Sequence, residues 1–219
     1  MLMVQPLRPS LPPASRPAKE TPKSKRTRVR ILDHAARLIR EIGYGSANNA
    51  VIAEAAGLTR GATLYHFPTR ESLLAGLVEH LSAQSDALFS EAARARPSGA
   101  DVAEHAIDAY WRLLHAPPLL AMRELKLAAR TDPLVRDRMA AVTAAFDRAE
   151  PESVMALFQP CSTPRRQAAR DFARFLLEGL ANADLTYDGE VRARRLLEML
   201  KRVVHVLNRK GEVSDIWPD

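Results

Sequence analysis

Within residues 57–67 (GLTRGATLYHF) the chain gathers a guanidinium, two hydroxyl side chains, a phenol and an imidazole around a glycine. That set matches the chemistry of nucleic-acid recognition. Arg60 can reach a phosphate or a guanine edge, Thr63 can offer its hydroxyl or its methyl to a base, and Tyr65 and His66 suit phosphate oxygens. Gly61 costs about 1 kcal/mol inside a helix relative to alanine, so its presence marks a point where a partner approaches the backbone. An ordinary solvated polar face would carry the same residues without any partner, and the neighbouring elements have to decide between the two readings.

Other chemistries find less support. His66 has no acid or second histidine at a helical interval, as a metal ligand or a catalytic base would need. No Ser/His/Asp set, glycine-rich phosphate loop or paired-carboxylate motif falls on a suitable element, and Arg123 with Glu124 reads as a solvated pair on a helix. The expectation is therefore a binding protein with no cofactor, no metal site and no catalytic residue.

The elements that position the segment can be read from hydrophobic spacing. Ile31, Ala35, Leu38 and Ile42, flanked by Leu32 and Ile39, recur at intervals of three and four and predict a helix closed by Gly43. A short helix over about 48–55 ends before Gly57 and a third runs from about 59 to 65, the spacing of a helix-turn-helix. On the third helix Leu58, Leu64 and Phe67 are expected to face inward, leaving Thr59, Arg60, Gly61, Ala62, Thr63, Tyr65 and His66 outward. Pro68 breaks the chain, and Thr69 caps a fourth helix with Glu71 in its first turn and a stripe of Leu73, Leu74, Leu77, Val78, Leu81 and Leu88. Breaks at 96–99, 117–118, 132–133, 160–164 and 188–189 divide the remainder into about five further helices. The last two, about 164–185 and 189–209, carry stripes of Phe172, Leu176, Gly179, Leu180, Ala183 and of Leu196, Leu197, Leu200, Val203, Val204, Leu207. Such a pair can pack against its own copy as a four-helix bundle, or cover the chain's own core.

Bulk properties agree with an all-α reading. Of 219 residues 47% are apolar, 26% charged and only 5% aromatic, and the length leaves room for a second helical region beside a small head. The net charge of +6 is unevenly placed. Residues 1–30 hold eight Lys/Arg against Glu20 alone, which leaves −1 for the other 189 residues. A basic arm on a nearly neutral body suits an encounter with an acidic polymer or serves solubility alone; in the first case Lys23, Lys25, Arg26, Arg28 and Arg30 can track the phosphate backbone or minor groove beside the bound site. A single cysteine, Cys161, allows no internal disulfide, and no apolar stretch is long enough for a membrane span, so a cytoplasmic protein with no membrane partner is expected.

Residues 26–81 resemble the DNA-binding domain of the TetR (tetracycline repressor) family. The likeness lies in ILDHAARLIREIGYG, VIAEAAGLTRG and the ATLYHFPTRESLL junction into the fourth helix, with a fainter echo in ELKLAARTDPLVRDRM. It implies an N-terminal three-helix helix-turn-helix DNA-binding domain and a C-terminal helical ligand-binding and dimerisation domain. The expected divisions are 1–23 as a disordered proline-rich basic arm, 24–81 as the head, 82–210 as the body and 211–219 as a tail. The implied DNA contacts are Arg28, Asn48, Thr59, Arg60, Gly61, Ala62, Thr63, Tyr65, His66 and Arg70, which stands where the family usually has lysine; Tyr44 would pack beside the DNA backbone. The pocket positions it implies are Trp111, His115, Met122, Phe172 and Leu176. The implied partners are a pseudo-palindromic operator, a small-molecule effector and a second copy of the chain meeting it through helices 164–185 and 189–209. The chain leaves the family pattern at Ala47, Asn48 and Asn49, where a Thr-Thr or Thr-Ser pair and an apolar residue are usual, and at Leu64.

Overall fold

Thr21 accepts a hydrogen bond from the Ser24 backbone N–H, and Pro22 is preset for the first helical turn, so the opening helix starts inside the stretch that composition marks as an arm. In the computed structural model, which describes residues 21–148, 151–158, 164–183 and 185–208, that helix is α1 (Pro22–Ser46). The rest of the arm, the 211–219 tail and Cys161 lie outside the described residues. Gly43 takes a positive φ of 77° and turns the chain, which ends the buried stripe at Ile39 and leaves Ile42 exposed rather than in the core.

α2 (Asn49–Ala55) and α3 (Arg60–His66) follow at once. The turn between them is a Schellman motif: Gly57, with φ 62°, donates to the Glu54 carbonyl and Leu58 N–H to that of Ala53. α4 (Arg70–Arg94) is opened by a reciprocal pair in which the Thr69 hydroxyl accepts from Ser72 N–H and the Ser72 hydroxyl from Thr69 N–H. Six helices come after it, one more than expected: α5 (Val102–Leu113), α6 (Pro117–Ala128), α7 (Pro133–Asp147), α8 (Glu152–Phe158), α9 (Pro164–Asn182) and α10 (Gly189–Asn208). The extra division falls just before Pro151, which separates α7 from α8. No strand occurs among the described residues.

Two hydrophobic cores organise these helices. The first joins Ile31, Ala35 and Ile39 of α1, Ile52 of α2, Phe67 and the Leu73–Leu74–Leu77–Leu81 stripe of α4. It does not stop there, for Ala121 and Leu125 of α6 and Val135 and Met139 of α7 are buried in the same cluster. The second core gathers Phe89, Tyr110, Leu157, Leu177, Leu200 and Val204 around the far end of α4. Leu88 is only half-buried, and Phe89 takes the inward place beside it.

At Gly76 the packing leaves no room. A Cβ there would stand 2.9 Å from Cε1 of the fully buried Phe67 ring and 3.0 Å from the Arg28 guanidinium, which itself lies 4.4 Å from the ring centroid. Gly76→Val is expected to cost about 1–3 kcal/mol through overpacking, despite the better helix former introduced. Denaturant unfolding of the two proteins measures it, and an equal or higher midpoint for the variant would contradict the close approach.

Candidate nucleic-acid interface and adjoining cavity

The start of α3 is fixed by Thr59, whose hydroxyl accepts from Ala62 N–H at 3.1 Å; the start of α2 by Asn48, whose side-chain carbonyl accepts from Ala50 and Val51 N–H. Both side chains are thus helix caps, exposed at one end of the head. Phe67 is buried at the other end of α3, and one turn before it Thr63 is buried as well, its hydroxyl donating to the Thr59 carbonyl at 3.4 Å. Thr63 therefore does not point outward as its hydroxyl led us to expect. It stacks at i, i+4 with Phe67, and Leu64 moves to the half-buried flank.

The outward face of α3 is Arg60, Gly61 and Tyr65, with Ala62 and His66 half-buried at its margins. Tyr65 is 79% exposed, and its ring meets that of His66 edge to face. A Cβ on Gly61 would meet nothing closer than the Thr59 hydroxyl at 4.0 Å, so the head itself does not demand glycine there. Beside this face a cleft of about 440 Å³ is lined by Tyr44, Asn48, Asn49, Arg60 and Arg70 over an apolar floor.

Two of the expected phosphate-binding cations have partners within the protein. Arg28 lies against the Phe67 ring at the edge of the core instead of projecting from the helix. Arg70 donates from Nε to the Tyr44 hydroxyl at 2.9 Å, stacks over that ring at 4.6 Å and reaches Asp132 at 3.4 Å. The hydrogen bond to Tyr44, working against partial burial, raises its affinity for the proton. Asp132 also caps α7, accepting from Leu134 and Val135 N–H. A single carboxylate thus ties the α6–α7 junction to the first residue of α4.

Between α4, α5, α6, α7 and α9 lies a second cavity of about 390 Å³. Phe89, Tyr110 and Phe146 form an aromatic wall with ring centroids 5.9–6.3 Å apart, and Leu119 and Met122 line it from α6. Tyr110 donates to Glu178 at 2.8 Å; burial, reinforced by that carboxylate, holds its hydroxyl well above the ordinary range, so it stays a donor. Of the five pocket positions expected from the family, Met122 alone is in this wall. Trp111 and His115 stack on one another away from it, Leu176 packs half-buried against the second core, and Phe172 is 45% exposed. The residues that do line it were not visible as a motif. Asp86, Tyr110, Arg123, Phe146 and Glu178 come from five helices and meet only once those helices pack. Arg123, read as solvated, is half-buried and donates to the Ala181 carbonyl at the end of α9.

Residues 31–77 match the model of the "Bacterial regulatory proteins, tetR family". Over that segment the chain is similar to the DNA-binding region of the TetR family. The match falls on the segment from the buried part of α1 to the first turns of α4 and includes the whole helix-turn-helix. Among solved structures, a putative TetR-family transcriptional regulator from Rhodococcus sp. superposes with a TM-score of 0.60 at 25% identity, over 82% of this chain and 98% of that one. GusR of Salmonella enterica does so with a TM-score of 0.62 at 17% identity, covering 87% and 98%. The multidrug binding protein EbrR, crystallised with ethidium, shares the fold at 22% identity and a TM-score of 0.54, covering 80% and 98%. No curated protein matches the chain. The matched segment contains the α2–turn–α3 unit described above. No helix among the described residues is long and apolar enough to cross a membrane, and those residues hold no cluster of metal-binding side chains.

Each of the two C-terminal helices has apolar residues on two sides; the expected α9 stripe mixed the two, while the expected α10 stripe held only buried and half-buried residues. Ala169, Leu177 and Leu180 of α9 and Ala193, Leu200, Val204 and Leu207 of α10 are buried in the chain's own interior. On the opposite side Phe172, Phe175 and Gly179 of α9 and Met199 and Val206 of α10 are exposed, with Phe175 at 59% and Met199 at 53%. Those of α9 recur at intervals of three and four, and the two of α10 stand seven apart, two turns along one face.

Proposed function

We propose that the chain is a homodimeric repressor that sets two copies of α3 into successive major grooves of a pseudo-palindromic operator and is released by a small molecule bound in the cavity lined by α6 and α7. The observation that carries the reading is the outward face of α3, where Arg60 has no hydrogen-bond or ion-pair partner among the described residues and Gly61 leaves the backbone bare. Arg60, Gly61, Ala62, Tyr65 and His66 meet the groove and its phosphates. Thr59 and Asn48 present capped helix starts to the backbone, and Lys23, Lys25 and Arg26, exposed in the first turns of α1, add charge nearby. Apposition of the exposed α9 and α10 stripes makes the dimer, and dimer geometry sets the spacing of the two heads.

Selection of bound sequences from random DNA by the full chain tests the reading. The expected product is a palindromic site retained against excess random DNA; equal affinity for all sequences would make the protein a non-specific binder and overturn it. On the selected site Arg60→Ala is expected to cost about 1–3 kcal/mol with relaxed preference at one base position. Weakening that is uniform over all sequences would reduce Arg60 to a phosphate contact.

Release follows from the shared core. α6 and α7 line the cavity and also enter the head's interior through Leu125 and Val135, and Asp132 between them holds Arg70 at the start of α4. A ligand that favours one position of α6 and α7 over another shifts the head by its differential affinity for the two, typically worth about 1–3 kcal/mol. Asp132→Asn keeps the α7 cap but drops the ion pair. Freed for phosphate, Arg70 should tighten operator binding and steepen its dependence on salt by about 0.9 in log–log slope for each head. An unchanged slope in a salt titration would show that Arg70 contributes no phosphate contact.

A further inference from the structure

The wall of the 390 Å³ cavity can be sorted by which of its polar groups are already engaged. Each carboxylate already has a partner: Glu178 takes the Tyr110 hydroxyl on Oε1 at 2.8 Å and lies 3.8 Å from Arg174, and Asp86 takes the Ser153 hydroxyl on Oδ1 at 2.8 Å. The donors are less fully engaged. Arg123 uses Nη1 on the Ala181 carbonyl and has no acidic partner among the described residues. Lys126, one turn along the same face of α6, is exposed and has no ion pair there, its only close feature being the Phe146 ring at 5.7 Å. Ser82 and Ser85 of α4 contribute hydroxyls that are buried with no hydrogen-bond partner. The aromatic wall offers little to a cationic guest, since Arg174 and Lys126 both already lie within 5.7 Å of the Phe146 centroid.

What is left over is a cationic, donor-rich edge on α6 facing an apolar chamber formed by Leu114, Leu119, Met122, Val142 and the aromatic residues. A buried donor without an acceptor costs free energy, and a carboxylate relieves several donors at once. We propose that the effector of the regulator described above is a small amphiphilic carboxylate, its apolar body in the chamber and its anionic head on Arg123 and Lys126. This rests on the reading of the cavity as the effector site. The volume falls within the roughly 300–1,000 Å³ of small-molecule sites.

Decanoate, decanamide and decylamine share length and shape and differ in the charge of the head group, so they separate the sign of the site from its apolar appetite. Isothermal titration of the full chain with each, in the absence of DNA, is expected to show decanoate binding about tenfold or more tightly than either of the others. The double variant R123Q/K126Q should remove that preference while keeping affinity for the selected DNA site; K126Q alone, an exposed change that the fold tolerates, should weaken decanoate about threefold and serves if the double variant unfolds. Preference for decylamine, equal binding of all three, no binding of any, or decanoate binding indifferent to the substitutions would each overturn the proposal. Because the titration contains no DNA, its outcome stands apart from operator selection: failure there would overturn the regulator and leave the anion preference standing.

Discussion

Replacing Gly61 with leucine is expected to abolish specific operator binding while leaving the free protein at least as stable as before. The two halves of this outcome have separate causes. A Cβ at this position finds only the Thr59 hydroxyl, at the outer limit of contact, and φ there is not positive, so the helix gains the propensity that glycine withholds, about 1 kcal/mol. In the groove the added side chain stands between the α3 backbone and the base edges, and the affinity should fall to that for random DNA, a loss of about 10³-fold or more. Thermal unfolding and a competition assay on the selected site measure the two effects. A lowered melting temperature would mean that glycine serves the fold; retained specific binding would mean that α3 does not enter the groove as proposed.

Met199→Glu is expected to split the proposed dimer. Met199 is exposed on α10, so a carboxylate costs the monomer little. Across a two-fold interface each change occurs twice, and a charge buried there without a partner costs about 3–5 kcal/mol, which raises the dimer dissociation constant by more than about a hundredfold. Sedimentation velocity should report a folded monomer with unchanged helical circular dichroism. Operator affinity should fall with it, because a single head retains only one half-site. A variant still dimeric at micromolar concentration would place the interface on another surface.

The helix-turn-helix was legible because its cues are local: Gly57 where φ is positive, Asn48 and Thr59 as caps, Pro68 as the break, and Thr69 opening α4. The misplacement of Thr63 has a local cause as well. A threonine satisfies its hydroxyl on the carbonyl one turn back and buries its methyl, so a polar residue type did not mean a solvated position. The C-terminal helices were harder to read for a different reason. The expected α9 stripe joined the exposed Phe172 and Gly179 to the buried Leu180, and neither stripe included Phe175 or Met199, whose exposure only packing reveals. The cavity was the least legible part, because no periodicity announces a space left between helices, and its walls come from residues as distant in sequence as Ser82 and Asn182.

The core that α1 shares with α6 and α7 sets a limit on modularity. A fragment cut at residue 81 would keep the whole recognition unit and yet expose the faces of Ile31, Ala35 and Leu74 that Ala121, Leu125, Val135 and Met139 cover in the intact chain. A head joined to another body at that boundary would have to bring the α6–α7 segment along, or a substitute for its apolar face, to keep its core covered.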